Sequence, residues 1–295
     1  MRIYLTGASG FVGKYIVEFF QDKKTIIIAK RETLNKIEGQ VVIHLAGKAH
    51  DLKNVSSPDE YYKVNTELTK RVFDSFLVSK ARVFITLSSV KAVADDVYGE
   101  LSEEVIPNPI THYGKSKLLA EQYILSNSIP QGKRVYILRP CMIHGPGNKG
   151  NLNLLYALVS KGLPWPLGLF ENSRSYLSIE NLCFIIKELM DRENIPSGIY
   201  NVADDVPLST NDIIKIIAES NGKKARILNI NKNFIKLLAF VGNLLKLPLN
   251  SESLHKLTKN YIVSNSKIKL ALAKQLPVSS KDGLIKTFQS FSKNA

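Results

Sequence analysis

In the stretch THYGKSKLLAEQYI, Tyr113 is followed four positions later by Lys117. Positions i and i+4 share a helix face, so the Lys117 ammonium can approach whatever atom the Tyr113 oxygen approaches. The stretch reads as helix: Leu118, Leu119, Ala120, Glu121 and Gln122 are good helix formers, and Pro107 and Pro109 put a loop before it. A chain with twelve tyrosines and forty Lys and Arg residues produces such a spacing by accident as well. The pair carries chemistry only if other elements aim it at a ligand.

A second candidate stands at the start of the chain. MRIYLTGASGFVGKYIVEFF is a short β-rich run (Ile3 to Leu5), then Gly7, Gly10 and Gly13, then a helix with Val12, Ile16, Val17 and Phe20 on its apolar side. Glycines at such a turn let the backbone approach a pyrophosphate, and the helix that follows aims its free N–H groups and positive dipole end at the anion. A strand before and a helix after make this a dinucleotide-binding turn.

The elements that would bring the two candidates together follow in order. Residues 25–29 (TIIIA), 40–47 (QVVIHLAG), 82–89 (RVFITLSS) and 134–140 (RVYILRP) are buried-type strands separated by helical patterns such as YYKVNTELTKRVFDSFLVS. Alternation of this kind predicts an α/β fold, a doubly wound parallel sheet of the Rossmann type, with its ligand at the carboxyl ends of the strands. Gly7, Ala46, Ser89 and the segment after Arg139 fall at such ends and converge on one crevice.

Composition sets the limits. The 295 residues, 44% of them hydrophobic, suffice for one large domain or two smaller ones. The N-terminal apolar run is too short for a signal peptide, and the longest apolar segment, FIKLLAFVGNLLKLPL, is broken by Lys236, Lys246 and Pro248. Cys141 and Cys183 sit among apolar neighbours without metal-like spacing, so no metal and a reducing cytoplasmic setting are expected. The formal charge of +14 is scattered rather than gathered in a stripe, which argues against nucleic acid and for an anionic small ligand.

Taken in order, TGASGFVG, HLAG, TLSS, YGKSK and LRPCMIHGPG resemble the extended short-chain dehydrogenase/reductase family, also called the NAD-dependent epimerase/dehydratase family. SRSYLSIENL and GIYNVADDVPLSTNDIIKII extend the resemblance over essentially the whole chain. It implies a Rossmann domain from 1–145 with 176–204 and a smaller substrate lobe from 146–175 with 205–295. The dinucleotide would lie along Gly7, Gly10, Phe11, Val12, Gly13, Leu45, Ala46, Gly47, Asn65 and Pro140, with Tyr113 and Lys117 at its nicotinamide end. Tyr113 would exchange a proton with a sugar hydroxyl or ketone, and Ser89 would hydrogen-bond the reacting oxygen. A Tyr acting as a base near pH 7 needs its pKa lowered by about three units, on the order of 4 kcal/mol, and the Lys117 cation contributes part of that. A Tyr that donates its proton needs less. Asn65 matches a helix Asn found near the catalytic Lys, and is otherwise a polar residue on a solvated helix face.

Departures from the family pattern narrow the reaction. The second strand runs into Lys30 and Arg31 instead of a ribose-binding carboxylate, which favours NADP(H) over NAD. Only about a dozen residues separate this strand from QVVIHLAG, leaving little room for the usual extra strand and helix. The family's 4,6-dehydratases carry an Asp-Glu pair after the catalytic hydroxyl residue; here Val90 and Lys91 stand there, so dehydration is not expected. Met142 replaces an Asn that many epimerases use on the sugar nucleotide. Arg174 matches the family Arg on the substrate diphosphate, with Asn172 and Asn151 as companions.

The expected partner is a UDP-sugar or similar nucleotide sugar, a homodimer being an option and stable membrane insertion not. The basic, apolar segment 232–262 reads as lobe packing in preference to a membrane-surface helix, because Gly242 and Pro248 interrupt it. Three functions fit: 4-keto reduction of a UDP-4-keto-6-deoxy-N-acetylhexosamine, 4-epimerisation of a UDP-hexose with retained NAD, or a non-catalytic dinucleotide sensor. Retention of both Tyr113 and Lys117 disfavours the last.

Overall fold

The structure, a computed structural model, describes residues 1–22, 24–29, 36–48, 57–148, 150–245 and 250–292. Six strands form one parallel sheet: β1 (Arg2–Thr6), β2 (Thr25–Ile28), β3 (Val41–His44), β4 (Val83–Leu87), β5 (Arg134–Pro140) and β6 (Gly198–Val202). Their order is β2-β1-β3-β4-β5-β6. The order turns at β1, so a crevice opens beyond the carboxyl ends of β1 and β3. The short connection after β2 leaves it as the edge strand, as its length requires.

Strand period two sorts side chains onto two cores. Ile3, Leu5, Val41, Ile43, Val83 and Ile85 face the helices Phe11–Phe20 and Ile179–Asp191, while Tyr4, Val42 and Phe84 pack on Phe73 and Phe76 of the helix Leu68–Val78. A third core, with Tyr156, Trp165, Ile213, Ile217 and Phe288, belongs to the lobe. The lobe helix Thr210–Ser220 starts at Ser209, whose hydroxyl accepts from Asp212 N at 3.0 Å in a capping box. The segment 205–295 does not stay wholly in the lobe. Tyr261, Val263, Ile268 and Leu272 return to the sheet core, and Ile262–Val263 pairs with Glu100–Leu101, because these side chains complete the apolar face beside β6. No helix among the described residues is long and apolar enough to cross a membrane, and no group of His, Cys, Asp and Glu there could hold a metal.

Candidate functional site

The turn between β1 and its helix is shaped by what it excludes. Gly7 has φ 74°, and a Cβ there would lie 2.6 Å from the Ala46 nitrogen; one on Gly13 would lie 2.2 Å from the Gly7 oxygen. The helix therefore sits on the turn, and the turn sits on the segment after β3. Gly10 N donates to Gly7 O at 3.1 Å, and no side chain caps the first turn at Phe11, Val12 and Gly13. This cradle fits a dinucleotide pyrophosphate, which the backbone N–H groups of an uncapped, glycine-rich helix start can approach closely.

A buried relay holds the neighbouring segment. Ala46 N donates to Thr6 Oγ1 at 3.1 Å, leaving the Thr6 hydroxyl to donate to His44 Nδ1 at 2.7 Å. His44 Nε2 then donates to Thr69 Oγ1 at 2.9 Å, and Thr69 donates to the Asn65 carbonyl at 2.8 Å. Burial, and secondarily the Lys117 charge, pushes the His44 pKa down to about 3, so the ring stays neutral and the relay keeps its direction. Asn65 lies in a π-helical turn, Tyr62–Glu67, of the kind that recurs at functional sites. It is fully buried, not solvated. Its amide accepts from Lys48 N at 2.8 Å and donates to Lys48 O at 3.1 Å and Ser116 Oγ at 3.0 Å. Gly47 is wedged between Asn65 and Lys117: a Cβ on it would lie 3.1 Å from the Asn65 amide oxygen and from the Lys117 ammonium.

Tyr113 and Lys117 ride on the helix His112–Leu125, capped by Thr111, whose Oγ1 accepts from Gly114 N. Asp95 clasps the entry by accepting from Ile110 N at 2.7 Å and Thr111 N at 3.1 Å. Gly114 lets the helix touch the turn after Ser89, since a Cβ there would lie 2.3 Å from Lys91 O. Burial raises the Tyr113 pKa, and the hydrogen bond to Ser89 works against that rise. Lys117 Nζ donates to Leu87 O at 2.9 Å; burial pushes its pKa down to about 8, with Glu121 opposing. Glu121 is itself held by the fully buried Arg139, Nε to Oε1 at 3.0 Å and Nη2 to Oε2 at 2.5 Å.

A cavity of about 220 Å³ joins these groups, lined by Leu45, Gly47, Ser89, Tyr113, Lys117 and Pro140 from the sequence expectation. Ser88, Lys48, Cys141 and Ile143 line it too and were not foreseen. Ser88 Oγ is buried with no hydrogen-bond partner among the described residues, a polar group that a ligand would satisfy. Burial raises the Cys141 thiol pKa, so it is no thiolate nucleophile. On the lobe side, Arg174 is half-buried; its guanidinium donates to Lys256 O, and its charge reaches the cavity residue Cys141. Lys91, read in the sequence only as a missing carboxylate, lies 4.5 Å over the Tyr261 ring and donates to Asp95 O at 2.7 Å. Its pKa is pushed down to about 8, chiefly by burial and then by Lys259.

Two expected companions are not gathered at the cavity. Asn172 turns inward: Nδ2 donates to Thr210 Oγ1 at 3.0 Å and Leu257 O at 3.2 Å, and Oδ1 accepts from Thr210 N at 2.9 Å, so its amide ties the lobe together. Asn151 is the exposed first residue of the helix Asn151–Ser160. Lys30 and Arg31 lie outside the described residues.

Comparison with known proteins gives the family and agrees with the fold. Residues 3–203 match the model of the NAD dependent epimerase/dehydratase family. A UDP-glucose 4-epimerase of Vibrio cholerae is 29% identical, covering 98% of this chain and 95% of that protein. A GDP-6-deoxy-D-mannose reductase of Pseudomonas aeruginosa is 26% identical over 74% of this chain and 79% of its own. A UDP-glucuronic acid 4-epimerase of Bacillus cereus, solved in complex with NAD, shares the fold with a TM-score of 0.76 at 19% identity, covering 99% of both chains.

Proposed function

This chain belongs to the NAD dependent epimerase/dehydratase family and is an enzyme of it, and from that premise we infer NADPH-dependent reduction of a 4-keto nucleotide sugar, a UDP-4-keto-6-deoxy-N-acetylhexosamine. The observation that carries this reading is Tyr113. Burial raises its pKa, so the phenol is protonated at neutral pH and poised to give its proton to a carbonyl oxygen. Ser89, bonded to the phenol, positions that oxygen; Lys117, one turn on, stabilises the phenolate left behind. The nicotinamide, when bound, supplies the hydride. Gly7, Gly10 and Gly13 would cradle its pyrophosphate, and Lys30 with Arg31 would face a 2'-phosphate where a carboxylate would repel it. Arg174 would hold the substrate diphosphate by its fork of donors.

Retained-NAD 4-epimerisation is the second reading, favoured by the near full-length match to the Vibrio cholerae epimerase. The two separate in one assay. With UDP-4-keto-6-deoxy-N-acetylglucosamine, a reductase consumes NADPH in equal amount and yields a 4-hydroxy sugar. Interconversion of UDP-N-acetylglucosamine and UDP-N-acetylgalactosamine without net NADPH oxidation would replace the first reading by the second.

A further inference from the structure

The helix Lys232–Leu244 is packed on the wrong side for its composition. Its buried residues are Ile235, Ala239 and Gly242, a stripe at i, i+4 and i+7 with little side-chain bulk. Gly242, which in the sequence looked like an interruption, lies in the contact itself. The larger apolar side chains point away: Phe234 is 52% exposed, Leu237 58%, Phe240 58%, Leu244 70%, and Val241 and Leu245 are exposed as well. Singly exposed apolar residues are ordinary, but one helix face made of them is an interaction surface.

Charge says what kind. Between Lys223 and Asn250 the sequence carries Lys223, Lys224, Arg226, Lys232, Lys236 and Lys246 and no Asp or Glu. Lys232 and Lys236 are exposed, share a stripe one turn apart and border the apolar face. An apolar face edged by lysines, on a segment without Asp or Glu and with Glu252 of the neighbouring helix paired to Lys256, fits an anionic bilayer surface, into which the rings sink while the ammonium groups reach the headgroups. A second copy of the chain would instead set this cationic surface against itself. We propose that this helix docks the protein on anionic membrane. The helix packs against Ser251–Thr258, whose last turn accepts from Arg174 and Asn172, so docking would hold the lobe side of the crevice near the lipid. The proposal is independent of which reaction the cavity performs.

Cosedimentation of the full chain with vesicles tests it. Against pure phosphatidylcholine, vesicles containing equal parts phosphatidylglycerol should bind at least about tenfold more protein, with binding falling as salt rises. Phe234→Ser/Phe240→Ser/Leu244→Ser should abolish binding, and Lys232→Glu/Lys236→Glu should lower it by about tenfold or more. Activity on a soluble substrate should stay unchanged in both. The lysine pair, exposed and outside the buried stripe of the helix, stands as the test if the serine variant folds poorly. Wild-type protein left in the supernatant, equal binding to both lipids, or binding indifferent to the lysine pair would overturn the proposal. So would a wild-type dimer that the serine variant converts to monomer, which would give the face to a second copy.

Discussion

Lys117 and Lys91 have the same ammonium pKa, about 8, for the same first reason, burial, yet they are built from different material. Lys117 is set by regular elements: a helix fixes it one turn from Tyr113, a strand end supplies the Leu87 carbonyl, and Glu121 one turn further opposes the loss of its charge. Lys91 is set by loops. Asp95, four residues on, supplies a carbonyl and a carboxylate, while the Tyr261 ring and the cations Lys259 and Arg174 come from segments far away in the chain. The first lysine lines one cavity with Tyr113, and the second belongs to a group of three cations. In the proposed reading, proton chemistry is set against the sheet and anion holding against the lobe.

Breaking the sheet side should have the largest effect. Tyr113→Phe keeps the ring against Tyr61 and removes the hydroxyl that carries the proton and bonds Ser89; kcat should fall about 10²- to 10⁴-fold with little change in cofactor affinity. A variant as active as wild type would remove Tyr113 from the chemistry. On the lobe side, Arg174→Ala should raise KM for the nucleotide sugar by an order of magnitude or more while sparing kcat, since a charge-assisted hydrogen bond contributes about 1.5 to 3 kcal/mol. An unchanged KM would take Arg174 out of the anion site.

Lys117 also makes a prediction about stability. Its folded pKa lies below the usual 10.5, so between about pH 8 and 10.5 the unfolded chain binds the extra proton and stability from this group rises with pH. Below pH 8 the buried charge costs on the order of 3 kcal/mol. Lys117→Met should therefore lose activity yet melt higher than the cofactor-free wild type at pH 7, with the gap closing toward pH 10.5. Equal melting across that range would show that the ammonium is not destabilised by burial. The smallest effect is expected from Lys91→Met, a rise in KM of only about three- to tenfold, because Arg174 and Lys259 keep most of the positive field. A fall in kcat with KM unchanged would move Lys91 to the proton-transfer side.

The same contrast explains what could be read from sequence. β1, β3, β4 and β5 follow from buried runs, and Gly7, Gly13, Tyr113 and Lys117 from turn chemistry and helical spacing, all of them local rules. Lys91 could not be read, because Lys259 and Tyr261 meet it only in the fold. Asn172 shows the converse: two positions from Arg174 in the chain, its amide faces Thr210 and Leu257, a pairing the sequence does not show. The sequence shows the segment 232–262 to be basic and apolar but not which face of Lys232–Leu244 the lobe would cover. That choice fell to Ala239 and Gly242, whose small size allows the closest approach.

The most direct test of the account follows one atom. NADPH carrying deuterium at nicotinamide C4 is given to the protein with UDP-4-keto-6-deoxy-N-acetylglucosamine, and the product is read by mass and proton resonance. Reduction by this site places deuterium at sugar C4 in an amount equal to the NADPH oxidised, and Tyr113→Phe loses that label. An unlabelled C4 and intact NADPH, in protein that interconverts UDP-N-acetylglucosamine and UDP-N-acetylgalactosamine, would contradict it.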